Sequence, residues 1–297
     1  MRAERGMQWM LVVFCAATLT AGMAIPCSAQ FGSLIQKARN KAAQAEEKAK
    51  LAREAKDIYT PWSPEQEQQV GEASAATIVN IFGLYENPEM VRYVNLVGDT
   101  VAQHAQRPVV YRFGILNTEI ITALSMPGGY VFITRGALAN MHSEAELAGT
   151  LAHEIAHVDE RHLEKEIRSK SSMTFLRQQT ARFTSTQLEQ IAGNVAQGSL
   201  TQQYSRDKET DADRIGVTLA QAAGYKADGL RMFLTFLQNA PKTPESQRQL
   251  SLWGSTHPPL PERIEALRAQ EASLPAGGQV LDARFVKHVN VAAFAAH

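Results

Sequence analysis

Residues 147–162 read LAGTLAHEIAHVDERH and contain His153-Glu154-Ile155-Ala156-His157. An α-helix advances by about 100° per residue, so histidines four apart lie one turn apart on one face. Their imidazoles can reach one metal ion. A glutamate directly after the first histidine is rotated aside, close to the ion without taking a ligand's place, where it can hold a water and accept its proton. Leu147, Ala148, Leu151, Ala152 and Ile155 supply the apolar side of such a helix. The competing reading, a chance match on a polar helix face, is uncommon at this composition.

Two histidines do not complete a site, because catalytic zinc takes three protein ligands and keeps one position open. A third histidine from the same segment would stand six residues after His157, with a glycine at three, but those positions are Leu163 and Glu160. His162 reads as a polar residue at the helix end. A second helix offers a carboxylate instead. In RDKETDADRIG (206–216), Glu209 and Asp213 are four apart and share a face. Glu209 would coordinate the metal, and Asp213 would accept the N–H of a liganding histidine and fix its tautomer. Acids are also favoured at a helix N-terminus by the dipole alone, so this pair by itself does not decide the matter.

HEIAH followed by ETDAD resembles the gluzincins of peptidase family M-48, the HtpX and CAAX prenyl protease type, in its soluble exported periplasmic form. ALSMPGGYVFITRGAL (123–138) resembles that family's strand and turn before the active-site helix. STHPPLPERI (255–264) resembles its His-Pro segment, and the resemblance as a whole covers about residues 64–268. The resemblance implies an α+β, mostly helical zincin-like fold with a small antiparallel sheet beside the HExxH helix. It makes His153, His157 and Glu209 the ligands of one Zn2+ per chain, Glu154 the general base and Asp213 a partner behind a ligand or a proton donor. His257 matches a histidine that approaches the zinc in periplasmic members, as a fourth ligand or an inhibitory switch. The chain departs from the pattern at Thr122-Ala123-Leu124, where the family commonly has Asn-Ala-Phe, and this puts the substrate pocket in doubt. A C-terminal helical-repeat domain, found in some members, is not expected.

Working outward, Ser63-Pro64 opens a helix over 64–83, and a second covers 87–106. Strands are expected at 109–116, 119–125 and 130–136, the last two joined by Pro127-Gly128-Gly129. A helix follows over 143–167, with Ser143 and Glu146 as a capping box. Residues 168–204 are polar and partly helical, and Phe175, Leu176, Phe183 and Leu188 there read as packing residues. Further helices cover 207–223, closed by Gly224, and 227–239. A loop then carries His257, a helix starts at Pro261, and the tail from Gly277 is weakly strand-like.

The 297 residues carry no net charge, so nothing argues for nucleic acid. Arg2 and Arg5 precede an apolar run from Trp9 to Ala24, and small residues lie at Cys27 and Ala29. That is the pattern of a signal peptide over 1–29, directing export to the periplasm. Pro26 argues against lipidation of Cys27. Both cysteines fall in this leader, so the mature chain has no disulfide. A lead-in helix over 30–60, a protease domain over 61–272 and a tail over 273–297 complete the expected organisation. Residues 30–60 also suit association with a membrane surface or an outer-membrane protein.

The implied reaction is hydrolysis of peptide bonds in unfolded or misassembled envelope proteins. Their chains would lie extended along the strand around Thr122–Ser125. His257, Arg263 and Tyr204 are candidates for stabilising the oxyanion. Two other classes stand beside this one: a largely non-proteolytic zinc-containing chaperone or assembly factor, and a structural zinc module.

Overall fold

The structure, a computed structural model, describes residues 44–47, 61–170, 183–201, 204–257, 260–289 and 291–296. The leader, Phe175 and Leu176, and all of the lead-in helix except the helical residues 44–47 lie outside these. The chain divides into two units, residues 1–55 and 56–297.

Within the second unit, α1 (Pro64–Phe82) begins as expected. Ser63 accepts from the Gln66 N–H, and the Gln66 side chain accepts from the Ser63 N–H, a complete capping box with proline at the start. Asn87 caps α2 (Pro88–Ala102) by accepting from the Met90 N–H, again with proline at the start. Three strands follow, β1 (Arg112–Leu116), β2 (Ala123–Met126) and β3 (Tyr130–Thr134), in the order β1-β3-β2. The sheet is mixed, which corrects the antiparallel sheet expected. The turn at Pro127–Gly129, with Gly128 and Gly129 at positive φ, pairs β2 with β3 antiparallel. Residues 117–122 carry the chain from β1 past the middle position to the far edge, so β3 returns between them and runs parallel to β1. A hairpin signal fixes only the pair it joins, and β1 carries no local mark of its direction.

A short helix, α3 (Arg135–Ala139), leads to α4 (Glu144–Asp159), every residue of which is buried. Ser143 accepts from the Glu146 N–H as expected, but the Glu146 carboxylate reaches His142 N–H, one residue before the cap. The helix expected to continue to 167 stops at Asp159. Arg161 takes φ 53°, and α5 (His162–Lys170) starts afresh. Asp159 accepts from the N–H groups of Gln106 and Arg107. Arg161 donates to the Trp62 carbonyl and pairs with Glu67. These long-range partners make the break, and helical periodicity does not register them.

α6 (Ser185–Thr201) packs on α1 and against β2, and Phe183 before it meets Trp62 edge-on. α7 (Arg206–Ala222) and α8 (Gly229–Asn239) both lie along α4. The expected loop around 243–257 is two short helices, α9 (Pro244–Gln249) and α10 (Ser251–Thr256), the first capped by Thr243. α11 (Leu260–Ala272) follows. The tail is not strand-like beyond a single bridge between Gln279 and Tyr225. It forms α12 (Asp282–His288) and a 3-10 turn over Val291–Ala296. Phe285 of α12 and Val289, just beyond its end, are both buried.

The main core surrounds α4, joining Leu147, Leu151 and Ile155 to Val97, Ile133 and Phe233. A second cluster joins Trp62, Val70 and Ile78 to Met126, Phe132 and Ile191. Among the described residues no helix is long and apolar enough to cross a membrane.

α7 reaches α4 because Gly216 has no side chain. A Cβ there would stand 2.9 Å from the His153 nitrogen. Gly216→Val should therefore push the two backbones apart and cost about 1–3 kcal/mol, the usual range for overpacking a filled core. The check is a lower midpoint of urea unfolding with unchanged slope.

Candidate active site

His153 and His157 project from successive turns of α4, their Nε2 atoms 3.0 Å apart. Glu209, in the first turn of α7, comes across to meet them. Its Oε1 is 3.4 Å from His157 Nε2 and its Oε2 3.8 Å from His153 Nε2. His257 sits at the end of α10, its ring stacked on Trp253 at 4.3 Å. One ligand atom from each of His153, His157, Glu209 and His257 lies within 4.8 Å of the others, and all four residues are buried. Glu154 stands beside this group. Its Oε2 accepts from the Ser125 hydroxyl of β2 at 2.8 Å, and its Oε1 is 4.0 Å from His257 Nε2.

Asp213, one turn beyond Glu209, places Oδ1 3.0 Å from His153 Nδ1. Arg263 of α11 donates to both Asp213 oxygens, at 2.8 and 2.6 Å, and its Nη1 is 2.8 Å from Glu209 Oε2. Burial would raise the Asp213 carboxyl, but Arg263 and His153 together hold it well below the usual carboxylate range. Burial would lower His153, and Asp213 reverses this. His157 falls well below the ordinary value through burial and its neighbour His153. Burial takes His257 down to about 3 and pushes Glu154 up.

The chemistry of these groups fits a metal ion. Glu209 is fully buried, yet neither carboxylate oxygen has an aligned hydrogen bond, even with Arg263 close by. A buried acid with unfilled acceptors is costly unless a cation answers it. Two imidazole nitrogens facing each other across 3.0 Å can share no more than one proton, and both are freed by a cation set between them and Glu209. Two imidazoles with a carboxylate suit zinc and several other divalent transition ions.

All six residues singled out in the sequence thus meet at one place: His153, Glu154, His157, Glu209, Asp213 and His257. His162 corrects the expectation. It is buried, with Nδ1 3.0 Å from His157 Nδ1, and it opens a new helix rather than standing as a polar residue at the end of the HEIAH helix. Burial takes its ring down to about 2. Of the oxyanion candidates, Arg263 is committed to Asp213 and Glu209, and Tyr204 is stacked on His157 at 4.2 Å. Sequence reasoning missed three features: Ser125 bonded to Glu154, Trp253 beneath His257, and Arg263 as the clamp on two acids. Ser125 and Arg263 have no signal in spacing, because each acts across the fold, whereas Trp253 stands one helical turn before His257, a spacing that could have pointed to it.

The model of peptidase family M48 matches residues 88–271. The beta-barrel assembly-enhancing protease of Escherichia coli K12 is 27% identical over 209 residues, 66% of this chain and 42% of that protein. Metalloprotease YcaL of the same organism is 30% identical over 170 residues, 56% of this chain and 63% of that protein. The mitochondrial metalloendopeptidase OMA1 of Schizosaccharomyces pombe is 31% identical over 171 residues, 56% of this chain and 48% of that protein. The chain thus spans about half the length of the curated relatives it matches. The matched stretch begins before β1 and ends in α11, so it holds every side chain of the site from Ser125 to Arg263. The chain belongs to peptidase family M48.

Proposed function

We propose that this protein is a zinc-dependent endopeptidase, exported to the periplasm, that cuts unfolded or misassembled envelope proteins and is held latent by His257. The observation that carries the reading is the convergence of His153, His157 and Glu209 beside a Glu154 kept out of the ligand set. In this reading His153, His157 and Glu209 hold the ion. Bound zinc supplies Lewis acidity, making water a nucleophile near neutral pH and polarising a carbonyl. Glu154 is the general base. Ser125 fixes one of its oxygens, and the other is left to take a proton from the attacking water and pass it to the leaving amine. Asp213, itself held by Arg263, keeps His153 in one tautomer.

The substrate class follows from the sheet. β2 is an edge strand, and an extended peptide can add to such an edge through main-chain hydrogen bonds. Peptides of that form come from unfolded or loose segments. The name of the Escherichia coli relative, an assembly-enhancing protease for beta-barrels, supports envelope polypeptides as the class, and the apolar run behind Arg2 and Arg5 supports export. Latency is supported by burial: all of β2 is buried, α6 packs against it, and His257 stands beside the ligands and Glu154. The same burial favours a second reading, a largely non-proteolytic zinc-containing chaperone or assembly factor.

Glu154→Gln separates the two. Casein cleavage by the zinc-loaded protein should fall by about 100-fold or more, the range for removing a general base, with zinc content unchanged. Cleavage at the native rate would end the protease assignment. Glu209→Gln keeps the shape but removes the charge, and zinc titration should show a large loss of affinity. His257→Ala should raise casein turnover; a joint loss of zinc affinity and activity would instead make His257 a required ligand.

A further inference from the structure

His157 carries a requirement that the ligands do not meet. Its Nε2 faces His153 and Glu209. A nitrogen that binds a cation must be bare, so the single proton of the neutral ring sits on Nδ1. In a buried site that N–H needs an acceptor. For His153 the corresponding nitrogen faces Asp213 at 3.0 Å. For His157 the atom at 3.0 Å is Nδ1 of His162. Two protonated nitrogens would repel at that distance and two bare ones would share no hydrogen, so one donates and the other accepts.

His162 reaches this place only because the helix breaks. In a continuous helix a residue five further on points about 140° away from His157. Here the chain leaves α4 through Arg161 at φ 53°, a conformation unfavourable for a residue with a side chain. Arg161 is held in it by the Trp62 carbonyl at 3.0 Å, Glu67 at 3.3 Å and Glu164 at 3.2 Å. Such strain persists where the surroundings over-determine it, and it collects at functional sites. α5 then starts with His162 turned back against His157 and 3% exposed. Tyr204 stacks on the His157 ring at 4.2 Å and 23°, which further confines that ring.

We infer that His162 is the positioning residue of His157, its bare Nδ1 accepting the His157 N–H so that Nε2 is presented to the metal. The two liganding histidines are then backed differently, His153 by a carboxylate and His157 by a second imidazole. This rests on His157 being a metal ligand, as proposed above.

The test is the zinc affinity of the full chain, measured by chelator competition, for the native protein, His162→Leu and His162→Asn. His162→Leu should weaken binding by about 10–100-fold, the usual cost of losing a partner behind a ligand. His162→Asn should recover most of that loss, because its amide oxygen stands near the place of Nδ1. Nitrogen-15 histidine spectra of the zinc-loaded native chain should show His157 protonated on Nδ1 and His162 bare there. That measurement needs no variant, so it decides the matter even if His162→Leu misfolds. Unchanged affinity in His162→Leu, or a proton on His162 Nδ1, overturns the inference and leaves the metal site standing. A native chain that takes up no zinc overturns both.

Discussion

The approach of α4 and α7 to backbone contact is the constraint on which the site depends. One helix carries His153, Glu154 and His157, the other Glu209 and Asp213, and neither has a complete set of groups. With Gly216 against the His153 backbone, Glu209 comes within 4 Å of both imidazoles and Asp213 within 3.0 Å of His153. Gly149 does the same for α8 on another side of α4, where a Cβ would lie 2.5 Å from the Leu230 nitrogen. Helix α4 is thus hemmed in at backbone range by two neighbours. This is why all of its residues are buried and why its polar groups answer to one another instead of to water.

That burial sets the electrostatics. Glu209 and Asp213 lie one turn apart in a dry setting, and the guanidinium of Arg263 spans both, with two hydrogen bonds to Asp213 and a close contact to Glu209. Arginine suits the task because its donors form a rigid fork and its charge cannot be titrated away. The contact with Glu209 is not aligned for a hydrogen bond, so that acid keeps its acceptors for another partner. The arrangement divides the two acids: Asp213 is satisfied within the protein, and Glu209 is only partly so.

The sequence made the site more legible than the fold around it. HEIAH and ETDAD are helical motifs, and helix geometry places residues four apart on one face wherever the helix goes, so each half of the site is set within its own helix, while the packing of the fold brings the halves and His257 together. Helices α1, α2, α4, α7 and α8 were recognisable from caps and apolar spacing; α3 overlaps a stretch read as strand, α5 was merged into α4, and α6 lies in a segment read only as partly helical. Three features were hidden because they depend on contacts distant in sequence. The parallel course of β1 depends on which edge β2 reaches. The break at Arg161 depends on Glu67 and Trp62. His162 gains its place only through that break, so its spacing from His157 misled. The tail misread as strand-like forms a short helix that buries only Phe285 while its one β-branched residue, Val286, stays exposed, so packing rather than residue type chose its structure.

Glu144, at the first position of α4, is buried, and it accepts from the hydroxyls of Tyr93 and Tyr225 and pairs with Arg284 of α12. These partners come from three stretches of the chain, and the last of them is made long after the helix it serves. During synthesis or passage across a membrane, a chain that has emerged only as far as α11 already holds every group of the active site. At that stage the Glu144 carboxylate already has the Tyr93 and Tyr225 hydroxyls and the helix N-terminus, and lacks only its cation. Arg284 thus ties α12 to the head of the helix that bears the chemistry, so the stability of that helix is coupled to a segment that contributes no group to the site.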